Sequence, residues 1–187
     1  MGTTPNYALR YPASSAAVIP YQHIQDLATD VDTTLDTYFG VVKRARRVTN
    51  TATTTGELGA LRLDSIPIKA GYFYKICTSP LFVVGTATAD VNGVSLRAST
   101  SGVATTASGQ LTQVQMPCGS TLHPPGFPSI VLPYISAVDQ TLSVLLSVLR
   151  GTSGTGTASL QVNTTFPSVD LWVECRGLDT GDTGVVL

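Results

Sequence analysis

The sequence predicts a mainly β protein, an antiparallel β-sandwich or jelly-roll domain preceded by an extended N-terminal arm and one short amphipathic helix. Two observations support this prediction. The hydrophobic pattern changes near Gly40 from a helical period to alternation with a period of two. The chain also holds 27 Thr and 16 Ser, hydroxyl residues that suit solvent-facing strand positions. The predicted parts are the arm (1–19), a helical stem (20–40) and the β-domain (41–187).

The arm is predicted to be extended because Pro5, Pro12 and Pro20 each remove an amide donor and disfavour helix in the preceding residue. An aromatic and basic cluster with no local surface to pack on lies within it: Tyr7, Leu9, Arg10 and Tyr11. Chain ends are often disordered, but disordered tails are poor in aromatic residues. The cluster therefore predicts an arm that attaches the protein to another protein.

The stem is predicted as one helix that starts at Pro20 and stops at Gly40. Its apolar side chains form one stripe, with several members seven residues apart: Ile24, Leu27, Ala28, Val31, Leu35 and Tyr38. Four threonines weaken the helix, and short isolated helices are marginal in water, so the stripe must be buried. It packs either on the chain's own β-domain or in a parallel bundle with other copies.

The β-domain is predicted to contain roughly eight short strands separated by turn residues. In SVDLWVECR, alternation places Val169, Leu171, Val173 and Cys175 on one face. The segment QTLSVLLSVLR also fits a helical period, but its Ser and Val content favours a strand. Two hairpins are expected, one at Asp90–Gly93 with Asn-Gly in the turn and one at GTSGTG.

The charge pattern argues against a nucleic-acid partner, since the net charge is −1 and only 12% of residues are charged. One basic cluster follows the stem: Lys43, Arg44, Arg46 and Arg47. It would contact an acidic surface or nucleic acid, or form the solvent face of an edge strand, where charge blocks unwanted pairing. No aromatic residues interleave with it to stack bases, which favours the edge strand.

Residues for catalysis or metal binding are sparse and scattered. Those with relevant chemistry are Cys77, Cys118, Cys175, His23, His123, Glu57 and Glu174. None stands at metal-ligand spacing, and hydrolase, phosphate-loop and zinc-protease motifs are missing. The sequence thus predicts no enzyme, no cofactor and no metal site. No apolar run is long enough for a membrane helix, and none resembles a signal peptide.

The N-terminal segments NYALRYP and IQDLATDVD resemble structural proteins of tailed bacteriophages that infect actinobacteria. Looser similarity continues at LRLDSIPIKAGYFYKI and QTLSVLLSVLRGTSGTG. Such proteins are minor tail, tail-fibre or head-decoration (head-fibre) components, in which an arm and a short stem precede a β-rich domain. The resemblance implies a virion structural protein, made in the host cytoplasm, whose arm attaches it to other capsid or tail proteins.

With the stripe of the stem, this implies a homotrimer bundled at the helices, with a projecting β-domain and no membrane partner. The alternative is a receptor- or glycan-binding tail-fibre module, whose partner would be a glycan on the host surface. Loops such as TSGVATTASG are poor in aromatic residues, which favours the structural role.

Overall fold

The computed structural model describes residues 2–3, 10–11, 24–29, 31, 39–86, 91–117, 126–151, 156–165 and 167–179. Residues 24–29 and 31 are helical and are called α1. The strands are β1 (Gly2–Thr3), β2 (Arg10–Tyr11), β3 (Phe39–Arg47), β4 (Glu57–Ile68), β5 (Tyr72–Thr78), β6 (Leu81–Gly85), β7 (Val91–Ser99), β8 (Gly109–Pro117), β9 (Gly126–Phe127), β10 (Val131–Ile135), β11 (Gln140–Arg150), β12 (Ala158–Leu160) and β13 (Val169–Leu178).

Two four-stranded antiparallel sheets form the body of the domain, in the orders β10-β5-β13-β3 and β4-β11-β7-β8. The eight strands pair from the ends of the domain inward: β3 with β13, β4 with β11, β5 with β10, and β7 with β8. This nested pairing is the strand order of a jelly roll, the double Greek key. The predicted fold class, an antiparallel β-sandwich, is confirmed. A smaller sheet of order β12-β6-β9 accompanies the sandwich.

The core lies between the two sheets. From the first sheet, Val169, Leu171, Val173 and Cys175 are buried on one face of β13, as alternation predicts. From the second, β11 contributes Leu142, Val144, Leu146 and Val148, all fully buried. The strand prediction for QTLSVLLSVLR is therefore confirmed. The segment also fits a helical period because both faces of β11 are buried. Apolar residues therefore occur at odd and at even positions along the strand.

Strand β4 contains a bulge at Ser65, next to Pro67. Leu63 pairs with Val144 and Ile66 pairs with Leu142, so β4 carries one residue more than β11 over this interval. Ser65 has a φ of 53°, which accommodates the extra residue. The bulge shifts the alternation, and both Leu63 and Ile66 consequently face the core.

Both predicted hairpins are wrong. Asn92 and Gly93 lie inside β7, which pairs with β11 and β8, while β6 belongs to the smaller sheet. Gly93 is needed for close packing instead of a turn, because a Cβ there would lie 2.6 Å from the carbonyl oxygen of Val114. Likewise β12, beyond GTSGTG, pairs with β6 and does not return along β11.

The β-domain begins at Phe39, two residues before the predicted boundary. Gly40 does not end a helix; it pairs with Cys175 inside β3 and has a φ of 84°, a conformation suited to glycine. Phe39 lies opposite Arg176, and Tyr72 lies opposite Leu178, so these residues mark one end of the sandwich, called the stem end. Arg47, opposite Val169, lies toward the other end, called the distal end.

Candidate interaction surfaces

The described part of the stem's apolar stripe is exposed to solvent. Ile24, Leu27 and Val31 are 67%, 44% and 36% exposed, and Ala28 is exposed as well. Leu35 and Tyr38, the other predicted stripe residues, lie outside the described residues. Since apolar side chains in a row on a short helix do not stabilise it while they face water, the stripe is a candidate protein–protein contact.

The arm contains a short ladder in which Gly2 pairs with Tyr11 and Thr3 pairs with Arg10. Tyr7 and Leu9 lie outside the described residues. Attachment through Tyr7, Leu9, Arg10 and Tyr11 stays a prediction. The two paired segments are antiparallel to each other.

The basic strand β3 is an edge strand of the first sheet, and its two outward arginines are held within the domain. Arg44 and Arg46 both bind the carboxylate of Asp170 on β13, at 3.0 and 2.8 Å. Burial alone would raise the pKa of Asp170, but the hydrogen bonds from Arg46, Ser168 and Arg44 outweigh it and hold the pKa below its usual value. These arginines thus neutralise a buried carboxylate.

The other two cations of the basic strand face the second sheet. Lys43 donates to the carbonyl oxygen of Asp64, and Arg47 donates to the carbonyl oxygens of Thr49, Asn50 and Ala60. Because all four cations have partners within the domain, the cluster joins β3 to β13 and to β4. The edge-strand interpretation therefore has direct structural support.

A second polar network lies on the outward face of the second sheet. Arg97 makes a two-pronged ion pair with Glu57, with distances of 2.7 and 2.6 Å, and Ser147 donates to the same carboxylate. The hydrogen bond from Arg97 is the main reason that the pKa of Glu57 is lowered. An ionised carboxylate with both oxygens occupied by an arginine is poorly suited to accept a proton from a substrate. The network is structural.

A cavity of about 260 Å³ opens beside the β4 bulge. It is lined by Asp64, Ser65, Thr100, Gly102, Val103, Thr141 and Ser143. The hydrogen bond from Ser143 lowers the pKa of Asp64, and Arg62 lies 2.9 Å from the same carboxylate. The lining offers hydroxyls and one ionised carboxylate, with neither a histidine nor a cysteine to activate a nucleophile. This arrangement does not amount to a catalytic site.

Cys77 and Cys175 are buried free thiols, and burial raises the pKa of both. Cys118, His23 and His123 lie outside the described residues. Within the described ranges, no group of three or more His, Cys, Asp or Glu could hold a metal ion. In the same part of the chain, no helix has both the length and the apolar character needed to cross a bilayer.

One exposed surface was not predicted from the sequence. Val131 and Ile135 on β10 and Val41 on β3 are about half exposed, at 53%, 49% and 55%, on the side of the first sheet that faces away from the core. The signal is present in VLPYI, where both alternating positions are apolar. Such a strand is buried on one face and presents apolar side chains on the other.

No known protein family model matches the chain, and no curated protein matches it significantly.

Proposed function

We propose that the protein is a bacteriophage virion structural protein, a homotrimeric capsid decoration (head-fibre) or minor tail protein that is anchored by its N-terminal arm and projects its β-domain. The observation that carries the proposal is the exposed stripe of α1. Ile24, Leu27 and Val31 lie on one helical side and are not buried by the domain that follows them. A helix of this kind is stabilised by association with other copies.

The direction of the chain supports a projecting domain. The stem enters at Phe39, at the stem end of the sandwich. The segments at the distal end include the chain near Thr51, which bonds to Leu160, and Gly151, which bonds to Val91. A trimer joined through its stems therefore holds its distal loops away from the point of attachment.

The stripe has the heptad spacing of helices that associate in a bundle. Ile24 and Val31 are seven residues apart, Leu27 lies between them at the spacing of an a–d–a seam, and Ala28 adds an apolar residue beside that seam. The jelly roll adds an argument by analogy, since viral capsid domains use this fold. The low charge of the chain also suits a surface that contacts other subunits.

Deleting residues 2–19 tests the anchoring role. Among the described residues, the sandwich core contains none from this segment, so the truncated protein should keep its melting temperature. It should also be missing from virions purified from cells that express it in place of the full chain. Truncated protein present in virions at wild-type occupancy would place the anchor outside the arm.

The alternative is a receptor- or glycan-binding module, for which the cavity beside Asp64 is the best-supported site. Its hydroxyls and carboxylate could bind a sugar. Against this, Asp64 lies on β4 next to Lys43 of β3, nearer the stem end than the distal end, and the lining lacks an aromatic residue. The structural role is therefore the better supported of the two.

A further inference from the structure

The outer face of the first sheet carries an apolar patch, called the outer patch and defined by Val41, Phe73, Val131, Ile135 and Trp172. The register places these residues on one side, because Ile135 lies opposite Phe73 and Cys77 lies opposite both Val131 and Trp172. Val41 lies opposite Glu174, which is two residues from Trp172 on the same face of β13. The patch thus spans all four strands of the sheet.

The exposed large apolar side chains of the described residues concentrate on two surfaces. Ten such side chains are exposed; three belong to the stem (Ile24, Leu27, Val31) and three to the outer patch (Val41, Val131, Ile135). The outward face of a sandwich sheet is normally polar, and contiguous apolar patches mark interaction sites. The outer patch therefore needs a partner in the assembled protein.

In the sequence, the predicted stem and the first residue of the outer patch are close together. The predicted end of the stem at Tyr38 is three residues from Val41, at most about 10 Å of extended chain. Axes of helices in a bundle are about 8–10 Å apart. If the stems of three copies associate, their Val41 residues are therefore brought close to one another, at the stem end of the outer patch.

Charged residues that lie between the apolar side chains of the patch suit contact between identical faces. Lys75 lies opposite Glu174, which accepts a hydrogen bond from Trp172 Nε1 at 2.8 Å and pairs with Arg176 at 3.3 Å. Each face thus presents both signs, and three identical faces can approach without a large like-charge penalty. The same mixture is unsuited to nucleic acid, which requires a continuous basic surface. A recess of about 110 Å³ between Val41, Arg44 and Trp172 leaves room for an apolar side chain from a neighbour.

We infer that the outer patch faces the three-fold axis and packs against the same face of the two neighbouring copies, so that the sandwiches, as well as the stems, form the trimer. This inference rests on the proposed trimer. The occupant of the patch is the protein itself.

Trp172 is the only tryptophan in the chain, so its fluorescence reports on this face alone. We expect acrylamide to quench Trp172 weakly in the wild-type trimer. In a monomeric Val31→Asp full-length variant, the quenching constant should rise about twofold or more and the emission should shift to longer wavelength. Val31 lies outside the sandwich core, so this variant keeps a folded domain that circular dichroism can verify.

A second variant, Val41→Glu, places a charge in the patch without touching the stem. We expect it to raise the concentration at which the trimer dissociates by about tenfold or more. Because the dissociation constant of a trimer scales with the square of that concentration, this is a difference of about 2.8 kcal/mol per trimer. The matched control is Val48→Glu, because Val48 is similarly exposed but lies beyond Arg47 toward the distal end. The control should dissociate like wild type.

The outcomes separate this inference from the proposed function. In one outcome, Val31→Asp dissociates the trimer but Trp172 quenching does not change, and Val41→Glu has no effect on assembly. That outcome would overturn the outer-patch interface and leave the stem trimer intact. A wild-type protein that is monomeric at micromolar concentration would overturn both.

Discussion

Asp170 lies 2.8 Å from Nε of Arg46, with its carboxylate almost fully buried beneath two arginines of the neighbouring edge strand. The same carboxylate oxygen binds Arg44 at 3.0 Å. This relationship explains why a basic cluster follows the stem in a chain with so few charges. The arginines fix β3, the strand that receives the stem, to the centre of the first sheet.

Replacing Asp170 with Ala should therefore destabilise the domain by about 2–3 kcal/mol, because it removes charge-assisted hydrogen bonds from a buried site and leaves two arginines unpaired. Chemical denaturation followed by circular dichroism measures the change. Asp139→Ala is the comparison, since its ion pair with Lys69 is exposed on both sides. If both variants unfold at the same denaturant concentration, the Asp170 cluster contributes no special stability.

Acid should destabilise the protein through Asp170 and Glu57. Both have a pKa below the usual value in the folded state, so the unfolded state binds protons first as the pH falls. Their contribution to the free energy of unfolding is complete well above the ordinary carboxyl pKa of about 4. It is lost as the pH drops through the lower pKa values of the two groups in the folded state. The melting temperature should fall steeply below about pH 4 in wild type and less steeply in an Asp170→Asn, Glu57→Gln double variant.

Gly93 is predicted to be irreplaceable for a steric reason. A Cβ at this position would meet Val114 O at 2.6 Å and the side chain of Gln115 at 2.9 Å, so Gly93→Ala should cost about 1–3 kcal/mol by forcing β7 and β8 apart. Gly109→Ala, in the same pair of strands, meets only the Ala98 carbonyl oxygen at 3.7 Å and should be nearly neutral. Equal unfolding midpoints for the two variants would contradict this explanation.

The sequence predicts the strands well and their partners poorly. Alternation identifies β13 correctly, because its burial follows a period of two. It cannot show that β13 pairs with β3, more than 120 residues away, since the jelly-roll order depends on which long-range faces fit together. The hairpin at Asn92-Gly93 fails for the same reason. A glycine required for close packing and a glycine required for a turn look identical in sequence.

The interaction surfaces are predicted unevenly. The stripe with Ile24, Leu27 and Val31 is legible because helical periodicity survives in a short segment. The outer patch cannot be recognised in the sequence, because Val41 and Ile135 are distant in sequence. They come to lie on the same face only because β5 and β13 join their strands in one sheet. The basic cluster is visible in sequence, but its role depends on Asp170, which the sequence alone does not connect to it.

The mass of the purified protein in solution tests the central claim most directly. Light scattering coupled to size-exclusion chromatography should give about three times the 19.5 kDa chain mass for wild type. It should give a mass near 19.5 kDa for Val31→Asp, which places a charge in the centre of the stripe that the proposed trimer buries. Gln25→Asp, on the polar side of the same helix, should remain trimeric. A wild-type mass of one chain at micromolar concentration, or a Val31→Asp variant that stays trimeric, would contradict the stem-based assembly.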